Sequence, residues 1–234
     1  MSSTVQFVSL GPGEAELVTL KALQALQASD YIFCPYTLTK EGKQVSRAIE
    51  IIAELGVKTD KICPFNVPMS INRDSAVAAY HKASEAIESL YAQNKKVVVT
   101  AEGDAGFYSS IHYIQDSLAQ RNIPTKRIAG VPAFIACGAL ANLHIVKQEE
   151  GLSVVPGTIT TELLLQQVKA GKTVVIMKVS RCIEAVKSAI RMEPSIHFHY
   201  FENVGSKEKE FYTQNTNTIL SRTIPYFSLM IIHQ

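Results

Sequence analysis

A chain of 234 residues with 47% apolar and 19% charged side chains has the balance of a folded globular protein, not of a disordered one. A formal net charge of +2 is too small for the basic patch that nucleic acid recruits, and no apolar tract is long enough to span a bilayer. The opening Met1-Ser2-Ser3-Thr4 lacks the basic and apolar regions of a signal peptide, which makes the cytoplasm the expected location.

Val5 to Leu10 reads as a first strand, closed by the turn Gly11-Pro12-Gly13. Leu17, Leu20, Leu23 and Leu26 follow at helical spacing. Asp30 to Cys34 reads as a short strand that Pro35 should end. Val45 to Leu55 reads as a helix, and Lys61 to Pro64 offers a brief strand. Arg73 to Gln93 carries Val77, Tyr80, Ile87 and Tyr91 on one face of a long helix. Val97 to Ala101 is a buried strand by its continuous apolar character, and Ile111, Ile114 and Leu118 mark the next helix. Strands alternating with helices imply βαβ crossovers and a mostly parallel sheet.

The pattern changes near Asn122 to Lys126, after the short stretch Arg127-Ile128-Ala129 and the turn Gly130-Val131-Pro132 comes an alanine-rich helix from Ala133 to Leu143. Strands then become denser: Ser153 to Val155, Thr173 to Lys178, Ile196 to Phe201, Phe211 to Thr213 and Tyr226 to Ile232. Two helices, Thr161 to Lys169 and Ile183 to Ile190, separate them. The expected architecture is two α/β domains, 1–125 with a mostly parallel sheet and 126–234 with a mixed sheet.

Three glycine turns, at Gly11-Pro12-Gly13, Gly103-Asp104 and Gly130-Val131-Pro132, each follow a predicted strand. In an open parallel sheet the carboxyl strand ends share one edge, where small ligands bind. The first turn is not a phosphate loop, because no Gly-Lys-Ser/Thr follows, and Glu16 stands where a dinucleotide fingerprint needs its third glycine. Asp104 is either a helix-capping or turn residue or a ligand contact or base, a carboxylate at a strand end being suited to each. Met177-Lys178-Val179-Ser180-Arg181 closes a later strand, its basic groups facing solvent or an anionic substrate. His197 and His199 share one strand face, but two histidines without a nearby third ligand argue for no metal. The four cysteines, Cys34, Cys63, Cys137 and Cys182, form no CxxC pair and read as free thiols. Of these, Cys34 follows a predicted strand and is the one placed to reach the ligand edge.

At these turns the sequence resembles the tetrapyrrole (corrin/porphyrin) methylase family. Val8-Ser9-Leu10-Gly11-Pro12-Gly13-Glu14 is similar to the family's opening Gly-Pro-Gly-Asp segment, and Ala28-Ser29-Asp30 to its next strand entry. Gly103-Asp104-Ala105-Gly106-Phe107-Tyr108 is similar to its Gly-Asp-Pro segment, and Ala129-Gly130-Val131-Pro132-Ala133-Phe134 to its third turn. Departures are Glu14 for Asp, Ala105 for Pro, and Ala129 and Pro132 for Pro and Ser; the glycines stay in place. Within the family, Pro68-Met69, Val175-Ile176-Met177-Lys178-Val179 and Pro225-Tyr226-Phe227-Ser228-Leu229 point to methylation at C20 of precorrin-2 or its cobalt-bearing counterpart, in corrin (cobalamin) synthesis.

The resemblance implies S-adenosylmethionine as methyl donor, folded between two domains of a homodimeric enzyme. It places the cofactor against Pro12, Gly13, Gly103, Asp104, Phe107, Ser109, Pro132, Ala133 and Met177. Asp104 is the candidate base, and Arg73, Lys178 and Arg181 are candidates for the substrate's carboxylates. The alternatives at this stage are a methylase acting at another tetrapyrrole carbon or on protein or RNA, a non-catalytic S-adenosylmethionine-binding module, and an unrelated nucleotide-binding regulator.

Overall fold

The structure, a computed structural model, describes residues 4–39, 41–68 and 73–234. Met69, part of one of the motifs above, lies outside the described residues. The chain divides into two compact units, Met1–Pro132 and Ala133–Gln234.

In the first unit, strands β1 (Val5–Ser9), β2 (Tyr31–Leu38), β3 (Gln44–Val45), β4 (Ile62–Asn66), β5 (Val97–Ala101) and β6 (Thr125–Ile128) form one sheet. The path runs β3-β2-β5-β1-β6, with β4 also paired to β2. Every pairing is parallel except that of β2 with β3. Helices α1 (Leu20–Ala28), α2 (Arg47–Glu54), α3 (Asp74–Ala92) and α4 (His112–Gln120) connect the strands.

The period of two along β1 sorts its side chains between two cores. Val5 and Phe7 pack with Tyr80 and Ile87 of α3 and Ile114 and Leu118 of α4. Val8 packs on the opposite face with Leu26 of α1 and Ile51 and Ile52 of α2. The sheet is thus covered on both faces, which explains the uninterrupted apolar character of β5.

Local chemistry moves several expected boundaries. The Thr19 hydroxyl accepts from the Ala22 N–H at 3.2 Å, so α1 begins at Leu20 and Leu17 belongs to a separate 3-10 turn. Pro35 does not end β2. Pairing to β5 stops at Phe33, but pairing to β4 runs on through Pro35 to Tyr36 and continues the strand, while the Pro35 carbonyl accepts from the Ser46 hydroxyl at 2.7 Å. Ser46 in turn caps α2, displacing its start from Val45 to Arg47. The expected division at 125/126 moves to 132/133, because β6 pairs along its whole length with β1 and belongs to the first sheet.

In the second unit, β7 (Gly151–Val155), β8 (Lys172–Met177), β9 (His197–Glu202), β10 (Phe211–Thr213) and β11 (Ser228–His233) form a mixed sheet in the order β10-β9-β11-β8-β7. Only the β7–β8 pair is parallel. The unit opens with α5 (Ala133–Leu140); α6 (Thr161–Lys169), α7 (Ile183–Met192) and α8 (Thr216–Ser221) supply Leu164, Val168, Val186, Ile190 and Ile219 to a core with Val174, Ile176, Phe198 and Met230. The α8 segment has no clear apolar period and was not expected as a helix; the Asn215 side chain caps it, accepting from the Thr218 N–H at 2.9 Å.

On the other face of β9, His199 Nδ1 lies 2.9 Å from the Tyr212 hydroxyl and its Nε2 lies 3.1 Å from Nε2 of His233. One tautomer set satisfies the chain of contacts. Tyr212 donates to His199 Nδ1, His199 Nε2–H donates to His233, and His233 Nδ1–H donates to the Gln234 carbonyl. Burial, with the neighbouring His233 and His197, pushes His199 down to about 4 from its ordinary 6.5.

Two outcomes follow. A Cβ at Gly130 would collide with Ser9 Cβ and come within 2.9 Å of the Gly103 carbonyl, backbone that cannot yield. Gly130→Ala should therefore destabilise the first unit by about 2 kcal/mol or more, read as a lowered denaturation midpoint. For His199 the folded value lies below the unfolded one, so its contribution is complete above pH 6.5 and is lost as pH falls toward about 4. Urea unfolding should show a loss on the order of 3 kcal/mol across that window, much reduced in His199→Gln; the same loss in both proteins would exclude His199 as its source.

Candidate active site

Because β5, β1 and β6 are adjacent and parallel, the turns that follow them lie side by side. Gly11 and Gly103 are bridged directly: the Gly11 N–H donates to the Gly103 carbonyl at 3.1 Å, and the Gly103 N–H returns to the Gly11 carbonyl at 2.6 Å. Both have positive φ, +71 for Gly11 and +67 for Gly103, a region in which a side chain is strained.

Asp104 closes the set. Its Oδ1 accepts from the Gly106 N–H and its Oδ2 from the Gly130 N–H, each at 2.8 Å. Ser9, fully buried at the end of β1, donates from Oγ to the Ile128 carbonyl at 2.6 Å and accepts from the Ala105 N–H at 2.8 Å. A carboxylate and a hydroxyl thus staple all three turns. Ser9 is not among the sequence-derived candidates, although a serine at a buried position of an apolar strand is a readable signal.

The remaining candidates in the first unit surround this staple. Pro12 and Gly13 are buried in the first turn. Phe107, whose N–H donates to the Asp104 carbonyl at 3.1 Å, stands edge-on to Tyr108. Ser109 precedes α4, its carbonyl 3.0 Å from Nδ1 of His112. Arg73, just before α3, donates from Nη2 to the Ser110 hydroxyl at 3.2 Å, which brings it to the loop that follows β5. Pro132 is the last residue of the unit.

Arg47 joins the site from α2 with no signal in the sequence. Gly13 has φ +145, and a Cβ there would lie 2.6 Å from Arg47 Cζ, so the guanidinium fills the space that the glycine leaves. The neighbouring Glu102 is pushed up by burial, pulled down by Arg47, and raised slightly by Glu50. Cys34 does not reach this edge. It is fully buried beneath the sheet, Thr100 Oγ1 lies 3.4 Å from its sulfur, and burial pushes its thiol up to about 12.

The candidates of the second unit are Ala133, which opens α5, and a group at the end of β8. Met177 is followed by Lys178 in the left-handed region, φ +59, its N–H donating to the Ser228 carbonyl at 2.9 Å. That conformation turns Lys178 over the ring of Tyr226, with Nζ 5.8 Å from the centroid. Arg181 ends the following 3-10 turn and is exposed, as are Tyr226 and Phe227. The structure therefore groups Met177, Lys178 and Arg181 with an aromatic pair. His197 and His199 lie away from them, toward the opposite end of β9.

Among the described residues no helix is long and apolar enough to cross a membrane. The model of the tetrapyrrole (corrin/porphyrin) methylases matches residues 4–219. A precorrin-2 C(20)-methyltransferase of Sinorhizobium sp. is 28% identical over 96% of this chain and 93% of its own. Among solved structures, a cobalt precorrin-4 methyltransferase superposes with a TM-score of 0.72 at 16% identity, over 98% of this chain and 94% of its own. A uroporphyrin-III C-methyl transferase from Thermus thermophilus, complexed with S-adenyl homocysteine, gives 0.65 at 15% identity, over 99% and 92%. The two-unit α/β architecture is the one these enzymes share, and the chain belongs to the tetrapyrrole methylases.

Proposed function

We propose that this protein is an S-adenosylmethionine-dependent methyltransferase that methylates C20 of precorrin-2 or its cobalt-bearing counterpart, in cobalamin biosynthesis. The observation that carries the reading is the convergence of three glycine turns at one sheet edge, tied by Asp104 and Ser9. Such an edge offers backbone groups and apolar surface in place of a phosphate cradle, which suits the adenine and methionine portions of this cofactor. The C20 position is supported by similarity to a precorrin-2 C(20)-methyltransferase over nearly the whole of both chains.

Methyl transfer from a sulfonium is an in-line displacement, and the cofactor brings its own electrophile. The protein's contribution is alignment of sulfur, methyl and attacking carbon. Pro12, Gly13, Gly103, Phe107, Ser109, Pro132, Ala133 and Met177 are the contacts proposed for the cofactor. Asp104 is assigned to positioning: each of its oxygens already accepts a backbone N–H, which holds the loop. Arg73, Lys178 and Arg181 are assigned to the acetate and propionate groups of the tetrapyrrole, arginine's planar fork matching a carboxylate. The homodimer and the cytoplasmic location implied by the resemblance belong to the same proposal.

Anaerobic incubation with labelled S-adenosylmethionine and either precorrin-2 or cobalt-factor II, followed by mass and NMR analysis, tests the reading. One added methyl at C20 is expected, and the relative rates identify the preferred substrate. A methyl at another carbon would move the assignment to a different tetrapyrrole methylase. Cofactor binding without transfer to either substrate would overturn it.

A further inference from the structure

We infer that Arg127, at the carboxyl end of β6, anchors a ligand carboxylate beside the second glycine turn, with Gln115 holding its guanidinium in place. This rests on the methyltransferase reading above, whose cofactor and tetrapyrrole both carry carboxylates.

The placement follows from the strand register. Arg127 pairs with Phe7 of β1, so its side chain leaves the sheet on the face covered by α3 and α4. There its Nε and Nη2 both donate to Oε1 of Gln115 in α4, at 2.8 and 2.6 Å. Gln115 is itself held, its Nε2 donating to the Thr125 hydroxyl at 3.2 Å. The third nitrogen, Nη1, is turned toward Gly106: a Cβ on that glycine would lie 3.3 Å from it and 3.3 Å from Asp104 Oδ1. Arg127 and Gly106 are both exposed, so a ligand reaches this spot from solvent. The surrounding backbone is fixed as well. Asp104 ties the loop of Gly106 to Gly130, and Ser9 bonds the carbonyl of Ile128, the neighbour of Arg127.

The nature of the acceptor is what points to a ligand. An amide oxygen fixes two of the guanidinium's N–H donors and leaves its charge intact, whereas a carboxylate in that place would cancel it. Among the described residues no carboxylate is ion-paired with Arg127. Asp104 Oδ1, which shares the space at Gly106, accepts from the Gly106 N–H. Shielding an edge strand from further pairing needs only an exposed charge such as Lys126, not a fork fastened to α4. Two carboxylates of the reaction fit the site. One is the methionine carboxylate of the cofactor, whose neighbouring ammonium matches Asp104 Oδ1. The other is an acetate or propionate of the tetrapyrrole.

The test pairs Arg127→Gln with Gln115→Glu, which keeps an acceptor under the fork but neutralises the guanidinium. Calorimetry gives the Kd of S-adenosylhomocysteine and of methylthioadenosine, which lacks the amino-acid carboxylate. Steady-state methyl transfer gives KM and kcat for the tetrapyrrole. Arg127→Gln should weaken the carboxylate-bearing ligand about tenfold or more, the scale of one charge-assisted hydrogen bond. Gln115→Glu should weaken it in the same direction, with a denaturation midpoint at or above that of wild type. If the anchor holds the cofactor, S-adenosylhomocysteine loses affinity and methylthioadenosine keeps it. If it holds the tetrapyrrole, KM rises at constant kcat and both nucleosides bind as before. Unchanged S-adenosylhomocysteine affinity together with unchanged KM in Arg127→Gln would overturn the anchor. Wild-type binding in Gln115→Glu would do the same, leaving the fork as a fastener between α4 and β6. An equal loss of S-adenosylhomocysteine and methylthioadenosine would also overturn it, since that marks a displaced loop. A wild-type protein that binds neither S-adenosylhomocysteine nor the tetrapyrrole would instead overturn the methyltransferase reading, and this anchor with it.

Discussion

The carboxylate of Asp104 is the interaction on which the first unit's ligand edge depends. It reaches from the loop after β5 to the loop after β6, accepting from Gly130, while its other oxygen closes its own loop at Gly106. Ser9 performs the matching task from the strand between them, bonding residues 119 positions away at Ile128 and 96 away at Ala105. These are long-range contacts between polar groups taken from water, and leaving one unpaired typically costs about 1–3 kcal/mol. The edge is thus assembled only when three distant strands have paired in the right order. The same crowding dictates that Gly130 carry no side chain, since Ser9 and the Gly103 carbonyl fill its surroundings.

This edge is polar through its backbone and nearly neutral through its side chains. No Gly-Lys-Ser/Thr follows the first turn to draw a phosphate, and two guanidiniums approach the edge, Arg47 in the space over Gly13 and Arg127 in the space over Gly106, where Asp104 Oδ1 also lies. With the carboxylates of Asp104 and Glu102 set against the guanidiniums of Arg47 and Arg127, the edge carries mixed charge in place of a cationic phosphate cradle. The cationic groups suited to an acidic tetrapyrrole are placed separately: Arg73 beside Ser110, and Lys178 and Arg181 at the end of β8.

Much of this was legible in the sequence because it rests on periodicity. The bounds read for Val97–Ala101, Thr161–Lys169 and Phe211–Thr213 agree with the strands and helix found there. The mixed character of the second sheet was also readable from its dense strands. What could not be read depends on tertiary partners. Pro35 continues a strand because β2 stays paired to β4 through Tyr36, and Ser46, eleven residues on, donates to its carbonyl. β6 belongs with β1 only because the parallel register places it there. Arg47 looks like an ordinary first-turn residue of an amphipathic helix until the fold sets it over Gly13. His199 acquires its third neighbour from β11, remote in sequence but adjacent in the sheet.

The two units solve the problem of presenting loops differently, and strand direction explains why. In the first, β1, β5 and β6 are parallel neighbours, so three consecutive strand ends coincide and can be stapled to one another. In the second, β11 runs antiparallel between β8 and β9, so the end of β8 meets the start of β11. Lys178 therefore bonds to Ser228, and the segment entering β11 brings Tyr226 over the lysine and Phe227 beside it. Gly157, after the parallel β7, supplies the one close approach of the other kind: φ is +75, and a Cβ would lie 2.6 Å from the Lys178 carbonyl. A parallel edge favours a backbone-lined seat for a compact ligand, whereas an antiparallel insertion exposes side chains that can vary without disturbing the sheet.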